Sequence, residues 1–311
     1  MTNFTSDENR QPTFQQVYCV EASTGKIHIQ LTVFSVIILL LSIIAFLGNA
    51  LILVALRRES SLHPPSKVLY CSLATTDFFV GLFSEPLYAT YLISVVTKRW
   101  DICPHAFTSA FIAGYLLGSV SFLTMTAISV DRLLALLLRL RYRQVVTLKG
   151  MHATAVIIWV VSIATAAMYF WNYLITLWYS YIFISLCLVT SISAYTKIFC
   201  TLRHLHNPIH PVQQNQAIPA LNTARYRKAV SSSLWIQSTL IICYLPFVLD
   251  GIAGRLLSTQ NELSSTELLV KVYTITLVYM NSSLNPILYC WKIRELREAA
   301  KVTIRQVVCC L

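Results

Sequence analysis

Long apolar runs alternate with short polar stretches along most of the chain. Each run is long enough for an α-helix of about 20 residues, which is what ~30 Å of hydrocarbon requires. Membrane β-strands would instead be shorter and would alternate strictly between apolar and polar positions. The pattern therefore predicts an all-α membrane protein, a bundle of seven transmembrane helices. The predicted spans are Gln30–Leu56, Lys67–Ile93, Phe107–Leu138, Met151–Tyr173, Leu174–Leu205, Tyr226–Leu257 and Leu268–Trp291.

The boundary between the fourth and fifth spans is the least obvious, because residues 153–199 are almost continuously apolar. A single helix of that length would extend about 70 Å at 1.5 Å per residue, more than twice the thickness of the hydrocarbon. We therefore predict a turn near Asn172.

Charge supports the membrane assignment and gives it an orientation. Only 12% of the residues are charged and 56% are hydrophobic, about half the charged fraction of a typical soluble domain. If the amino terminus is outside, the inner side carries 18 of the 24 Lys and Arg residues and the outer side carries 6. This bias predicts an outer tail (1–29), the bundle (30–291) and a cytoplasmic segment (292–311). The net charge of +11 then follows membrane sidedness and gives no indication of nucleic-acid binding.

Both terminal segments carry possible modification sites. Asn3 begins a glycosylation sequon, which has meaning only on an outer tail. Residues 292–298 are amphipathic at helical spacing, and predict a short helix along the inner membrane surface. Cys309 and Cys310 follow, either as palmitoylation sites or as unmodified cytosolic thiols.

Polar residues inside the spans mark the functional regions, because ionisable groups are costly in lipid. Asp77 lies in the second span, and its expected partners are Asn49, Ser121, Asn281 and Asn285 from three other spans. This cluster is either functional or a hydrogen-bonded knot that holds the bundle together.

The inner end of the third span carries Asp131 next to Arg132. The two side chains could pair in one state and separate in another, or form an ordinary interfacial ion pair. Pro246 and Pro286 are expected to kink the sixth and seventh spans, because proline removes a backbone donor and clashes with the preceding turn.

Several motifs occur in the expected spans and in order across residues 30–311, and together they resemble the rhodopsin-like family of G-protein-coupled receptors. They are Gly48-Asn49, Leu73-Ala74-x-x-Asp77, Asp131-Arg132-Leu133, Trp159, Tyr195, Cys243-x-x-Pro246 and Asn285-Pro286-x-x-Tyr289. The resemblance implies a plasma-membrane receptor that binds an extracellular ligand. It also implies that outward movement of the sixth helix activates a heterotrimeric G protein.

The resemblance assigns roles to individual residues. It implies an allosteric Na⁺ pocket that stabilises the inactive state, formed by Asn49, Asp77, Ser121, Asn281 and Asn285. It implies that Arg132 meets the G protein, that Leu140 inserts into it, and that Tyr195 and Tyr289 support the active state. The full set of switch and coupling residues is Asp131, Arg132, Leu140, Tyr195, Tyr244, Pro246, Pro286 and Tyr289.

Departures from the family pattern leave an alternative open. Leu133 stands where tyrosine is usual, and Tyr244 replaces the toggle tryptophan. Both changes affect switch positions, so the chain could be a receptor-like protein whose coupling is ligand-independent or lost. A short second outer loop, no family disulfide (Phe107 at the cysteine position) and Cys187 in place of the fifth-span proline resemble the melanocortin, cannabinoid, lysophospholipid and adenosine branch.

The outer half offers a possible ligand pocket and a possible disulfide. The expected pocket residues are Glu85, Tyr88, Phe111, Tyr115, Phe247, Asp250 and Tyr279. The aromatic residues suit a mostly apolar ligand or ordinary core packing, and the ligand could be a lipid, a small molecule or a peptide. Glu85 and Asp250 either meet a cationic ligand group or pair with Arg255 or Lys271. Cys19 and Cys103, the two cysteines expected outside, either pair or remain free thiols.

Other function classes fit the sequence less well. A transporter would be expected to show internal repeats or interrupted half-helices, which the sequence does not suggest. An enzyme would need a nucleophile–base pair, a metal-ligand spacing or a phosphate-binding loop. The sequence shows none of these patterns, so we expect a protein that is not an enzyme.

Overall fold

The computed structural model describes residues 18–19, 27–58, 63–138, 141–206, 235, 238–254, 264–292 and 294–310. Every secondary-structure element among these residues is helical, as predicted. The helices are α1 His28–Arg58, α2 Pro64–Val96, α3 Cys103–Leu138, α4 Leu148–Phe170, α5 Tyr173–His206, α6 Ser238–Gly254, α7 Ser265–Lys292 and α8 Arg294–Cys310. A one-turn helix, Tyr142–Val145, lies between α3 and α4.

The first five helices are each long and apolar enough to cross a membrane. The described part of α6 is a shorter apolar helix, and the start of the predicted sixth span lies outside the described residues. Helix α7 contains the whole predicted seventh span. Together these helices account for all seven predicted spans, the sixth in part.

The predicted turn between the fourth and fifth spans is present. Helix α4 ends in a 3₁₀ turn at Met168–Phe170, and α5 begins at Tyr173. The Asn172 side-chain oxygen accepts hydrogen bonds from the backbone N–H groups of Leu174 (2.9 Å) and Ile175 (3.3 Å). Asn172 therefore caps α5 by satisfying two of its unpaired amides.

Helix α2 is not uniform. An α-helical part, Pro64–Phe79, is followed by a π-helical turn, Val80–Ser84, and by a second α-helical part, Glu85–Val96. Gly81, in the π turn, lies directly against α1, where Ser42 Oγ donates a 2.7 Å hydrogen bond to its carbonyl. The hydrophobic pattern predicts one regular helix for this span and does not predict the π turn.

The inner-surface helix is longer than predicted. Instead of ending near Glu298, α8 extends over Arg294–Cys310. Leu296 and Ala300 are buried, and Arg58 of α1 donates a 3.4 Å hydrogen bond to Thr303 Oγ1. These contacts hold α8 against α1. The Cys309 and Cys310 side chains lie outside the described residues, as does Asn3.

Burial is distributed as expected for a membrane bundle. Apolar side chains such as Leu40, Val160 and Leu186 face outward, with exposed fractions of 56%, 59% and 61%. The polar residues Asn49 and Asp77, by contrast, are fully buried between the helices. An apolar outer surface of this kind is expected to face the hydrocarbon of a lipid bilayer.

Candidate functional site

Asp77 is the centre of a buried polar cluster that joins α2, α3 and α7. Its Oδ1 atom accepts hydrogen bonds from Ser121 Oγ (3.2 Å) and Ser282 Oγ (2.9 Å). Its Oδ2 atom accepts one from Asn285 Nδ2 at 2.6 Å. The structure thus brings two of the four expected partners to the carboxylate.

The other two expected partners lie in the bundle but bond elsewhere. Asn49 Nδ2 donates to the carbonyls of Ala45 (2.8 Å) and Ser282 (3.1 Å). Asn281 Nδ2 lies 3.9 Å from Met125 Sδ. Neither residue donates a hydrogen bond to Asp77 in this structure, and their membership of a sodium pocket stays a prediction. Ser282 was missed, although it stands three residues before Asn285 and so shares its helix face.

The donor set of this cluster fits a Na⁺ ion. The side-chain oxygens of Asn49, Asn281 and Asn285 are buried and accept no hydrogen bond from the described residues. Buried amide oxygens without a donor are unfavourable. Carboxylate, hydroxyl and amide oxygens are the ligands that hard cations prefer. Asp77, with these asparagines and serines, could therefore hold Na⁺ and gain stability from it.

Asp131, at the inner end of α3, is held by three side chains. Arg132 Nη2 lies 2.9 Å from its Oδ2 atom. Ser66 Oγ donates to Oδ2 at 3.0 Å, and the Tyr142 hydroxyl donates to Oδ1 at 2.7 Å. Burial raises the pKa of Tyr142 to about 12, so this phenol keeps the proton that it donates at any physiological pH. The sequence indicated the Asp131–Arg132 pair but not the two hydroxyl donors.

Arg132 lies next to the Tyr70 ring, which in turn contacts Tyr289. Its guanidinium carbon lies 6.0 Å from the Tyr70 ring centre, and Tyr70 meets Tyr289 edge-on at 5.6 Å. Tyr289 is fully buried, and its hydroxyl has no hydrogen-bond partner among the described residues. Tyr195 packs in a different cluster, around Leu136. Leu140 lies outside the described residues.

The two prolines lie inside continuous helices. Pro246 is within α6, and α7 runs through Pro286. A Cβ atom on Gly48 of α1 would lie 2.9 Å from Pro286 Cγ, so the glycine allows α1 to approach the proline ring. Tyr244 packs its ring against Phe122 of α3, with 4.8 Å between ring centres.

The expected pocket residues form two groups in the outer half. In the first, Tyr88 packs against Tyr279 with 5.6 Å between ring centres. Phe111 lies in a stack with Tyr115 at 6.1 Å. The second group is on the α5–α6 side, where Phe247 meets Tyr181 at 5.9 Å.

The two acids of the outer half have different surroundings. Asp250 of α6 forms an ion pair with Lys271 of α7 at 3.5 Å, so the pairing alternative holds for this residue. Glu85 of α2 is fully buried, and neither of its carboxyl oxygens has a hydrogen-bond partner in the described part of the chain. An ion pair with a basic residue therefore accounts for Asp250 but not for Glu85.

The described residues of the amino-terminal segment, Tyr18 and Cys19, are fastened to the bundle. Cys19 and Cys103 form a disulfide. The preceding residue, Tyr18, stacks on Phe107 with 4.7 Å between ring centres, and its carbonyl accepts a 3.3 Å hydrogen bond from the Tyr91 hydroxyl. This segment therefore lies against the outer ends of α2 and α3. Its signal in the sequence was the pair of outer cysteines.

Comparison with known proteins places these features in one family. Residues 48–289 match the model of the 7 transmembrane receptor (rhodopsin family). The chain is 25% identical to melanocortin receptor 5 of Homo sapiens over 287 residues, which cover 88% of this chain and 83% of that receptor. It is 26% identical to melanocortin receptor 5 of Ovis aries over 289 residues, with the same coverage. Both relatives come from the branch that the departures indicated. The chain, a multi-pass plasma-membrane protein and not an enzyme, belongs to the rhodopsin family of seven-transmembrane receptors.

Proposed function

We propose that the chain binds an extracellular ligand between the outer halves of α2, α3, α6 and α7 and activates a heterotrimeric G protein at its inner face. The amino terminus is then extracellular and α8 lies on the cytoplasmic surface, consistent with the charge bias. The observation that carries the proposal is the Asp131–Arg132 pair, 2.9 Å apart and braced by Ser66 and Tyr142.

The mechanism is a shift between two arrangements of the bundle. In the closed arrangement Arg132 is engaged by Asp131. Asp77, Ser121, Ser282 and Asn285 would hold Na⁺ between α2, α3 and α7, and the charge of a bound ion would favour the same packing. A ligand that binds the open arrangement more tightly favours outward movement of α6. Arg132 then leaves Asp131 for the G protein, and Tyr289 and Tyr195 provide hydroxyls near its new position.

The first test uses no ligand. The full chain and its Arg132→Ala variant are expressed at matched surface levels with a panel of G-protein dissociation sensors. We expect a basal signal in one G-protein subtype that the variant loses. An equal signal from both proteins would contradict the role proposed for Arg132.

Leu133 and Tyr244, which depart from the family at switch positions, support a second function. It is a receptor-like protein whose coupling is ligand-independent or lost. If wild type gives no basal signal, the double variant Leu133→Tyr, Tyr244→Trp is tested in the same assay. A basal signal in this variant indicates that the two departures suppress basal coupling. Silence favours a ligand-dependent or non-coupling protein, and direct binding then becomes the way to search for the ligand.

Removing the Tyr142 hydroxyl should loosen the closed inner face. Hydrogen bonds to charged groups contribute about 1.5–3 kcal/mol, so Tyr142→Phe should increase the basal signal by roughly tenfold or to the ceiling of the assay. The matched control is Tyr273→Phe, because Tyr273 is 53% exposed. A basal signal from Tyr142→Phe at or below wild type would show that this bond does not restrain Arg132.

A further inference from the structure

Glu85 is a buried acid that neither the Asp77 cluster nor the Asp131 switch uses. It is fully buried in α2, and both of its oxygens are without a hydrogen-bond partner among the residues that the structure describes. Burying a carboxylate without a partner is unfavourable, and ionisable residues kept inside a membrane generally mark a functional site. The position therefore requires an explanation beyond packing.

The π turn determines which way Glu85 faces. In a regular α-helix, residues seven apart share a face, whereas residues eight apart are rotated by about 80°. Glu85 stands eight residues after Asp77. The π turn at Val80–Ser84 accommodates one extra residue, so Glu85 takes the orientation that a seventh residue would have. The two buried carboxyls of α2 thus lie on the same inward face, about two turns apart.

The neighbours of Glu85 on the same part of α2 provide a hydroxyl group and an aromatic ring. Ser84, its neighbour, shares a 3.1 Å hydrogen bond with the Tyr279 hydroxyl. Tyr88, one turn further along α2, packs its ring between Tyr279 (5.6 Å) and Tyr91 (5.7 Å). On α3 the facing residue is Gly114, whose absent side chain would lie 3.2 Å from the Tyr279 oxygen. An acid beside tyrosine rings is the combination that attracts organic cations.

The charge of Glu85 distinguishes between the kinds of ligand that could bind beside it. Asp250 is already paired with Lys271, whereas Glu85 has no such partner among the described residues. A metal ion would need several convergent oxygens, but the nearby Ser84 and Tyr279 hydroxyls bond to each other. An uncharged lipid would leave the charge of the carboxylate uncompensated.

We propose that the Glu85 carboxylate receives the ammonium group of a small organic cation, with the rings of Tyr88 and Tyr279 beside it. The inference rests on the proposed receptor function, since it gives the chemical class of the ligand. It identifies an anchor on α2, opposite Gly114 of α3.

The test measures binding directly on the purified full chain. The melting temperature is followed against increasing benzylamine, an ammonium ion at neutral pH, and against benzyl alcohol, its uncharged counterpart. We expect a saturable rise with benzylamine and little change with benzyl alcohol. Glu85→Gln, which keeps the size of the side chain, should weaken the benzylamine effect by at least about tenfold.

Two further variants locate the binding. Glu267→Gln changes another glutamate at the outer end of the bundle, where Glu267 caps α7, and should keep the full benzylamine effect. Asp77→Asn should still give a saturable benzylamine rise in sodium-free buffer, which excludes binding at the sodium cluster. No rise in wild type, or an undiminished rise in Glu85→Gln, overturns the proposal. Because melting temperature does not depend on coupling, failure of the G-protein assay and failure of this proposal are separate results.

Discussion

Replacement of Gly81 by alanine is expected to lower the melting temperature of the purified receptor by roughly 6–12 °C. A Cβ atom at Gly81 would lie 2.6 Å from the Phe46 backbone nitrogen and 2.8 Å from the Ser42 carbonyl oxygen. Both atoms belong to the α1 backbone and cannot rotate away, so the two helices must separate. Overpacking of this kind costs about 3 kcal/mol at the upper end of the usual range, and 1 kcal/mol corresponds to about 2–4 °C in a large domain.

The matched control is Gly118→Ala. A Cβ atom at Gly118 of α3 would meet no heavy atom within 4 Å. Alanine is also the better helix former, so this variant should melt at the wild-type temperature or slightly above it. Equal melting temperatures for the Gly81 and Gly118 variants would show that the close contact between α1 and α2 does not carry this stability.

Hydropathy predicted the class of fold because the bilayer fixes the length that a helix must have. The same length criterion predicted the turn near Asn172, which no local motif marked. The ends of the spans were less accurate. Helices α2 and α3 begin at Pro64 and Cys103, before the predicted Lys67 and Phe107, because a helix continues into the interface after its apolar run has ended.

The π turn was not predictable from its own residues. Val80–Ser84 has the composition of an ordinary membrane helix, and the extra residue is accommodated through packing against α1. This matters for the outer half, since the rotation it introduces decides that Glu85 faces inward. If α2 were a regular α-helix from Asp77 onward, Glu85 would be rotated by about 80° away from the face that Asp77 occupies.

Side-chain contacts between residues distant in the sequence were also not predictable. Sequence motifs identified Asp77, Asp131 and Arg132. The hydroxyl groups that donate hydrogen bonds to Asp131 belong to no recognisable motif. Ser66 and Tyr142 reach Asp131 from positions 65 and 11 residues away. The sequence likewise offered the same two alternatives for Glu85 and Asp250. Only the relative placement of α6 and α7 shows that Lys271 reaches one of the two acids.

Asp77→Asn is expected to abolish the effect of sodium on stability. In wild type, NaCl should raise the melting temperature relative to KCl at equal ionic strength. Sodium at ten times its dissociation constant adds about 1.4 kcal/mol, which corresponds to roughly 3–6 °C. Asparagine keeps the shape of the side chain but removes the negative charge that the cation needs, so the two salts should then give the same melting temperature.

Two adjacent serines provide the matched control for this effect. Ser282 Oγ donates to Asp77 at 2.9 Å, whereas Ser283 Oγ donates to the Leu41 carbonyl of α1 at 3.0 Å. Each alanine variant loses one hydrogen bond, at a similar cost of about 1 kcal/mol. Only Ser282→Ala should also shift the sodium midpoint, because only Ser282 belongs to the donor set around the carboxylate. If Asp77→Asn kept the full difference between the two salts, the cluster would be a hydrogen-bonded knot that holds α2, α3 and α7 together without binding an ion.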